Sequence, residues 1–187
     1  ERDRTGGCPD ALRPPPSRRV LELGAGHGLP GVLAAACHGA DVDFHDMSPD
    51  VLRRVTAINA VANRGSGPFP RLRFLAGDWC SLCAAAGALG LEYDVVLAAE
   101  AIYKADAYED LAVLLEQCLA PEGVAWFAGK RFYFGCGGGT VSFAAFLRER
   151  GFQAEVERKI EDGRSNVRDI LRISRPGAKR RRLEQIS

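Results

Sequence analysis

The chain has 187 residues, 47% of them apolar and 26% charged, the length and composition of one globular domain. A domain of this size buries enough surface to need no disulfide or metal staple, and no apolar run reaches the 18 or more residues of a membrane-spanning helix. The net charge of +1 conceals an asymmetry: residues 172–187 carry +5 and residues 1–19 carry +2, which leaves −6 on residues 20–171. An acidic body suits a cationic ligand or a basic protein partner, and argues against direct nucleic-acid binding.

Residues 1–18, with Gly6-Gly7 and Pro14-Pro15-Pro16, read as a linker or disordered lead-in. With no apolar leader segment the chain is expected to be intracellular and its six cysteines reduced. It begins with Glu1 rather than methionine, which predicts a piece of a longer protein. Residues 19–175 read as the folded domain and 176–187 as a basic tail. The tail run Lys179-Arg180-Arg181-Arg182 is expected to be a solvated terminus, with a nuclear-import signal or a nucleic-acid contact as the alternatives.

From residue 19 short apolar runs alternate with helical stretches. Residues 20–23 predict a buried strand ending at a glycine. Residues 28–38 predict a helix, with Pro30 tolerated in its first turn. Residues 42–45 predict a second strand. Ser48 then caps a helix that has Pro49 at its first position and runs to about residue 62. A Gly/Pro loop over 64–70 leads to a third strand at 72–76, and Asp78 or Ser81 opens a short helix ending near 87–90. Residues 93–99 predict a fourth, fully buried strand, and 107–119 an amphipathic helix. Pro121 and Gly123 punctuate before a fifth strand at 124–128, in which Trp126 is expected in the core. A helix over 140–150 stops at Gly151. Strands at 152–159 and 166–173 flank a hairpin turn at Glu161-Asp162-Gly163. Five βα units and a terminal hairpin predict an α/β fold: a mostly parallel, Rossmann-like sheet with helices on both faces and an antiparallel end.

The stretch Val20-Leu21-Glu22-Leu23-Gly24-Ala25-Gly26-His27-Gly28 places a strand, a glycine turn and a helix start in that order, at the sheet edge where such folds bind ligands. Gly26-His27-Gly28-Leu29-Pro30-Gly31 satisfies the dinucleotide pattern, with Asp46 twenty residues on for a ribose. That register begins late, and Pro30 falls where a pyrophosphate would lie. The register Glu22-x-Gly24-x-Gly26-x-Gly28 fits better. An acid inside the strand repels an anion and suits a ligand with ammonium and sulfonium charges, such as S-adenosylmethionine. Glu22 is then expected to serve the ammonium, directly or through water, and Asp46 the ribose hydroxyls.

Residues 19–31 with Asp46 resemble the seven-strand S-adenosylmethionine-dependent methyltransferases. Three further stretches narrow the likeness, which spans residues 19–175. Ala76-Gly77-Asp78-Trp79 follows the third strand, where this class holds adenine. The resemblance implies that Asp78 meets the exocyclic amine, that Trp79 packs on the ring, and that His45, Met47, Gly77 and Ala99 also line the cofactor. Glu100-Ala101-Ile102-Tyr103 is similar to the [Asp/Glu]-x-x-Tyr motif of enzymes that methylate protein lysine or histidine side chains. Lys130-Arg131-Phe132-Tyr133-Phe134-Gly135-Cys136-Gly137-Gly138-Gly139 resembles the corresponding segment of the protein-histidine methyltransferases. That family modifies a histidine of a large-subunit ribosomal protein.

The resemblance implies a monomeric enzyme of the cytoplasm or nucleus acting on a basic ribosomal protein. Glu100 would orient the substrate imidazole and Tyr103 supply a hydroxyl or a wall. Lys130, Tyr133, Phe134, Gly137 and Gly138 would form the substrate wall, for which core packing is the alternative at Phe134. A protein-lysine methyltransferase, or a binding module that keeps the fold without turnover, stands as the alternative. Two departures from the family are visible: residues 1–19 contain no Trp of the family's N-terminal cover, and Ala99 stands where Ser is usual. Cys80-Ser81-Leu82-Cys83 lacks the further ligands of a zinc site, so no metal is expected.

Overall fold

The computed structural model describes residues 18–63, 70–161, 163 and 167–178. Seven strands form one sheet in the order β3-β2-β1-β4-β5-β7-β6: β1 (Arg19–Leu23), β2 (Asp41–Asp46), β3 (Leu72–Ala76), β4 (Tyr93–Ala99), β5 (Leu119–Lys130), β6 (Gln153–Ile160) and β7 (Arg168–Ser174). Strands β1 to β5 pair in parallel, and β7 runs antiparallel to both β5 and β6. The chain moves outward from β1 through β2 to β3, then returns to β4 on the other side of β1. The carboxyl ends of β1 and β4 therefore flank the switch point at which open α/β sheets bind ligands.

Alternation along β1 sends its residues to two cores. Leu21 and Leu23 join Val96, Phe127, Phe143 and Leu147 under the helices α4 (Trp79–Leu89), α5 (Tyr108–Cys118) and α6 (Thr140–Glu149). Val20 faces the other side with Val42, Phe44, Val32 and Leu52, beneath α1 (Leu29–His38) and the helical run formed by α2 (Pro49–Val51), a π-helical turn (Leu52–Thr56) and α3 (Ala57–Ala62). Each fully buried Leu or Phe contributes about 1.5–3 kcal/mol, so these two layers carry the fold.

The predicted caps are in place: Ser48 Oγ accepts from Val51 N at 3.3 Å, and Pro49 opens α2. Gly151, at φ +91°, follows the end of α6. Three expectations need correction. β5 begins at Leu119, directly after α5, and absorbs Pro121 and Gly123 at an irregularity where its register against Tyr93 and Val95 shifts. Trp126 is half-buried, because the inward positions of β5 are Ala125 and Phe127. β4 is not buried throughout, since Asp94 and Ala99 are exposed. Residues 1–17, the turn residue Asp162, most of the 64–70 loop and the basic run at 179–182 lie outside the described residues.

Candidate active site

Gly24, Gly26 and Gly28 all take left-handed backbone (φ +62°, +53° and +69°), which folds the chain back on itself between β1 and α1. Gly28 and Gly31 do different work from Gly24 and Gly26. A Cβ on Gly28 would meet Thr56 at 2.7 Å, and one on Gly31 would meet the Glu22 carboxylate at 2.5 Å. Those positions must be glycine for packing. Beside Gly24 and Gly26 the nearest atoms lie 3.9 and 4.0 Å away, so the loop leaves an open cradle there.

The loop is fastened from below. Glu22, only 3% exposed, accepts from Gly31 N at 2.8 Å, and burial pushes its carboxyl up to about 7. Glu22 is thus buried and engaged with the first turn of α1, an attachment that the expectation of a direct or water-mediated contact to the ammonium did not include. Thr56 Oγ1 donates to Gly26 O at 2.7 Å, and Asn59 Nδ2 to His27 O at 2.8 Å. The π-helical turn ending at Thr56 lies where the helix reaches under the loop, in keeping with the placement of such turns at functional sites.

Asp46 ends β2 with Oδ2 accepting from Gly26 N and Oδ1 from Ser48 N, both at 2.9 Å. Each oxygen keeps a lone pair for a hydroxyl. Met47 beside it is 75% exposed. Gly77 N donates to Asp46 O at 3.2 Å, which brings the β3 end against the β2 end. Asp78 caps α4 by accepting from Ser81 N at 2.7 Å, and hydrogen bonding from the Ser81 hydroxyl and then from its backbone holds the Asp78 carboxyl below the usual range. One carboxylate oxygen is thereby engaged by the helix that Asp78 was expected to open. Trp79 reaches toward Gly24 and lies over the His45 ring, with centroids 4.9 Å apart. His45 gives its carbonyl to Ala25 N at 2.8 Å, a bond made inside the loop. Burial lowers the pKa of its imidazole, which favours the neutral ring.

Across the switch point, β4 ends at Ala99, one pair beyond Ala98, which faces Leu23 of β1. Among the described residues Glu100 is the one non-glycine with positive φ, at +57°. That conformation costs about 1–3 kcal/mol and persists where surrounding structure imposes it, as at many active sites. Here Glu100 N donates to Ala128 O at 2.8 Å, and the carboxylate accepts from the Tyr133 hydroxyl at 2.5 Å while facing Arg168 Nε at 3.5 Å. Burial and the bond to Glu100 push the Tyr133 phenol up to about 12.

The segment after β5 packs on the segment after β4. Lys104 and Gly137 form an antiparallel bridge, and a Cβ on Gly138 would lie 2.4 Å from Ile102 O. Tyr103 and Tyr133 meet edge to face with centroids 6.4 Å apart, and Lys130 Nζ sits 5.4 Å from the Tyr133 centroid. Tyr108 of α5 ties down the end of the segment, accepting from Gly139 N at 2.8 Å. Gly138 is therefore buried against this chain's own backbone, which corrects its placement on an open substrate wall. Gly135 and Gly137, with positive φ, have no atoms within 4 Å of a Cβ. Phe134 is 82% exposed, so core packing is excluded for it.

The two stretches around Glu100 and Lys130–Gly139 thus come together, beside the glycine loop. Sequence reasoning missed Thr56, Asn59, Tyr108 and Arg168. The spacing of Thr56 and Asn59 on one helix after β2 was visible, but nothing local marked Arg168.

A family model described as lysine methyltransferase matches residues 14–133. The histidine protein methyltransferase 1 homolog of Dictyostelium discoideum is 31% identical over 158 residues, covering 84% of this chain and 50% of that protein. EEF1A lysine methyltransferase 3 of Mus musculus is 29% identical over 157 residues, covering 80% and 60%. The chain spans about half the length of the histidine-modifying relatives it matches. In fold it is similar to a SAM-dependent methyltransferase from Agrobacterium tumefaciens, with TM-score 0.62, 18% identity and coverage of 86% of this chain and 56% of that one. With the family model matching most of the described domain, the chain belongs to this family of methyltransferases.

Proposed function

We propose that this chain carries the active site of an S-adenosylmethionine-dependent methyltransferase that modifies a histidine side chain of a protein. The observation that carries the reading is Glu100, held in a left-handed corner by Tyr133 at the sheet edge beside the glycine cradle. The residues fit the cofactor: the cradle at Gly24 and Gly26 is open, Asp46 keeps lone pairs for ribose hydroxyls, and Trp79 offers a flat face near Gly24. When bound, S-adenosylmethionine supplies a methyl group on a cationic sulfur, open to in-line displacement.

The chain's own part is orientation. Glu100 accepts the N–H of a neutral imidazole, which turns the other ring nitrogen toward the cradle. The same carboxylate stabilises the imidazolium that forms and receives its remaining proton. Tyr103 and the Tyr133–Gly137 turn wall the ring, with Phe134 presented to the protein substrate. The acidic body favours a basic partner, a large-subunit ribosomal protein by the family resemblance. The similarity to histidine-modifying relatives supports this reading, while the family description and the mouse relative support lysine as the second.

The test is incubation with methyl-labelled S-adenosylmethionine and purified ribosomal proteins, followed by amino-acid analysis. Label in methylhistidine is the expected result; label in methyllysine replaces it with the second reading, and no label from this chain or from a longer parent chain leaves a binding module.

A further inference from the structure

The Glu100 carboxylate is gripped on both oxygens, by Tyr133 Oη at 2.5 Å and by Arg168 Nε at 3.5 Å. Arg168 belongs to no motif near either loop. It stands at the first position of β7, and the antiparallel register sets it opposite Lys130. Lys130 N donates to Tyr133 Oη at 3.1 Å, so the same register fixes both partners of Glu100. Arg131 N donates to Val167 O at 2.8 Å and secures this corner of the sheet. The neighbouring cations are turned elsewhere: Lys130 lies over the Tyr133 ring, and Lys104 over the Tyr103 ring at 5.8 Å.

We propose that Arg168 is a positioning residue that, with Tyr133, fixes the Glu100 carboxylate and balances its charge, so that the site takes a neutral imidazole in preference to an ammonium. The inference rests on the histidine reading. A carboxylate without a counter-ion draws imidazolium and ammonium, the protonated forms that have no lone pair for attack. Pairing with a guanidinium weakens that pull without abolishing it, because the pair is partly exposed, and leaves the carboxylate able to accept an N–H, since two oxygens offer about four lone-pair sites.

The test compares wild type with Arg168→Met and Arg168→Lys, using S-adenosylmethionine and saturating ribosomal proteins, with methylhistidine counted across pH. Arg168 is partly exposed, so both variants are expected to fold. In Arg168→Met the acid limb of the rate profile is expected to move up by about half a unit or more, as the bare carboxylate holds the substrate imidazole protonated. Arg168→Lys keeps the charge and is expected to leave the limb in place. An unmoved limb in Arg168→Met, or the same shift in both variants, overturns the proposal while leaving histidine methylation intact. Methyllysine from wild type overturns the histidine reading and the proposal together. Crystal structures of wild type and Arg168→Met decide the positioning role without turnover: the carboxylate should leave Tyr133 in the variant, and a pair that stays in place overturns that role.

Discussion

The two halves of the site are built by opposite means. The glycine loop is secured from beneath by buried polar groups, Glu22 on Gly31 N and Thr56 on Gly26 O. The Glu100 side has its charged groups exposed and is held by close backbone approach, with Gly138 against Ile102 and Gly139 against Tyr108. The glycine loop is thus held rigid by groups beneath it while its upper side stays open, and the Glu100 side keeps its charged groups at the surface.

If the substrate side depends on backbone contact, Gly138→Ala should have the largest effect. Its Cβ meets backbone atoms that cannot turn aside, so thermal unfolding should show a loss of about 3 kcal/mol or more, with methyl transfer falling in parallel. An unchanged melting temperature would break the comparison on that side.

On the cofactor side, Glu22 titrates near 7 when folded and near 4.5 when unfolded. Its folded pKa is raised, so its contribution to stability is full below 4.5 and is lost as pH rises through 7. Denaturation of the free protein should find Glu22→Gln equal to wild type near pH 4.5 and more stable above pH 7, by up to about 3 kcal/mol. Parallel pH curves for the two proteins would show that Glu22 is not buried as described.

Thr56→Val keeps the shape but leaves Gly26 O without its donor. Stability should drop by about 1–2 kcal/mol, and calorimetry should find cofactor affinity weakened about tenfold. A variant that binds as tightly as wild type would mean that the loop needs no fastening from below.

The smallest effect on the fold is expected from Phe134→Ala. At 82% exposure the change should stay within about 0.5 kcal/mol. It should raise KM for the protein substrate while cofactor affinity stays constant; equal weakening of both would move Phe134 out of the substrate wall.

Much of the fold was legible because local signals agreed. Ser48 with Pro49, and Asp78 ahead of α4, marked helix starts by chemistry that acts within four residues. The strand–glycine–helix order was equally local, and Gly24, Gly26 and Gly28 take the positive φ that glycine allows there. The misreadings came where partners lie far off in sequence. Pro121 and Gly123 look like the end of an element, yet β5 already starts at Leu119, and its pairing with β4 skips the residues between Leu119 and Val124 as an irregularity within the strand. Trp126 reads as core by its size, but alternation turned Ala125 and Phe127 inward instead.

The sequence by itself determined the strand–glycine–helix order and the presence of an acid at position 22, because periodicity and backbone sterics are local. The tertiary structure alone decided that Glu22 engages the first turn of α1, that Gly138 lies on Ile102, and that Arg168 faces Glu100. Those facts depend on sheet order and register, which bring together segments 36 and 68 residues apart, and no short window of sequence encodes that meeting.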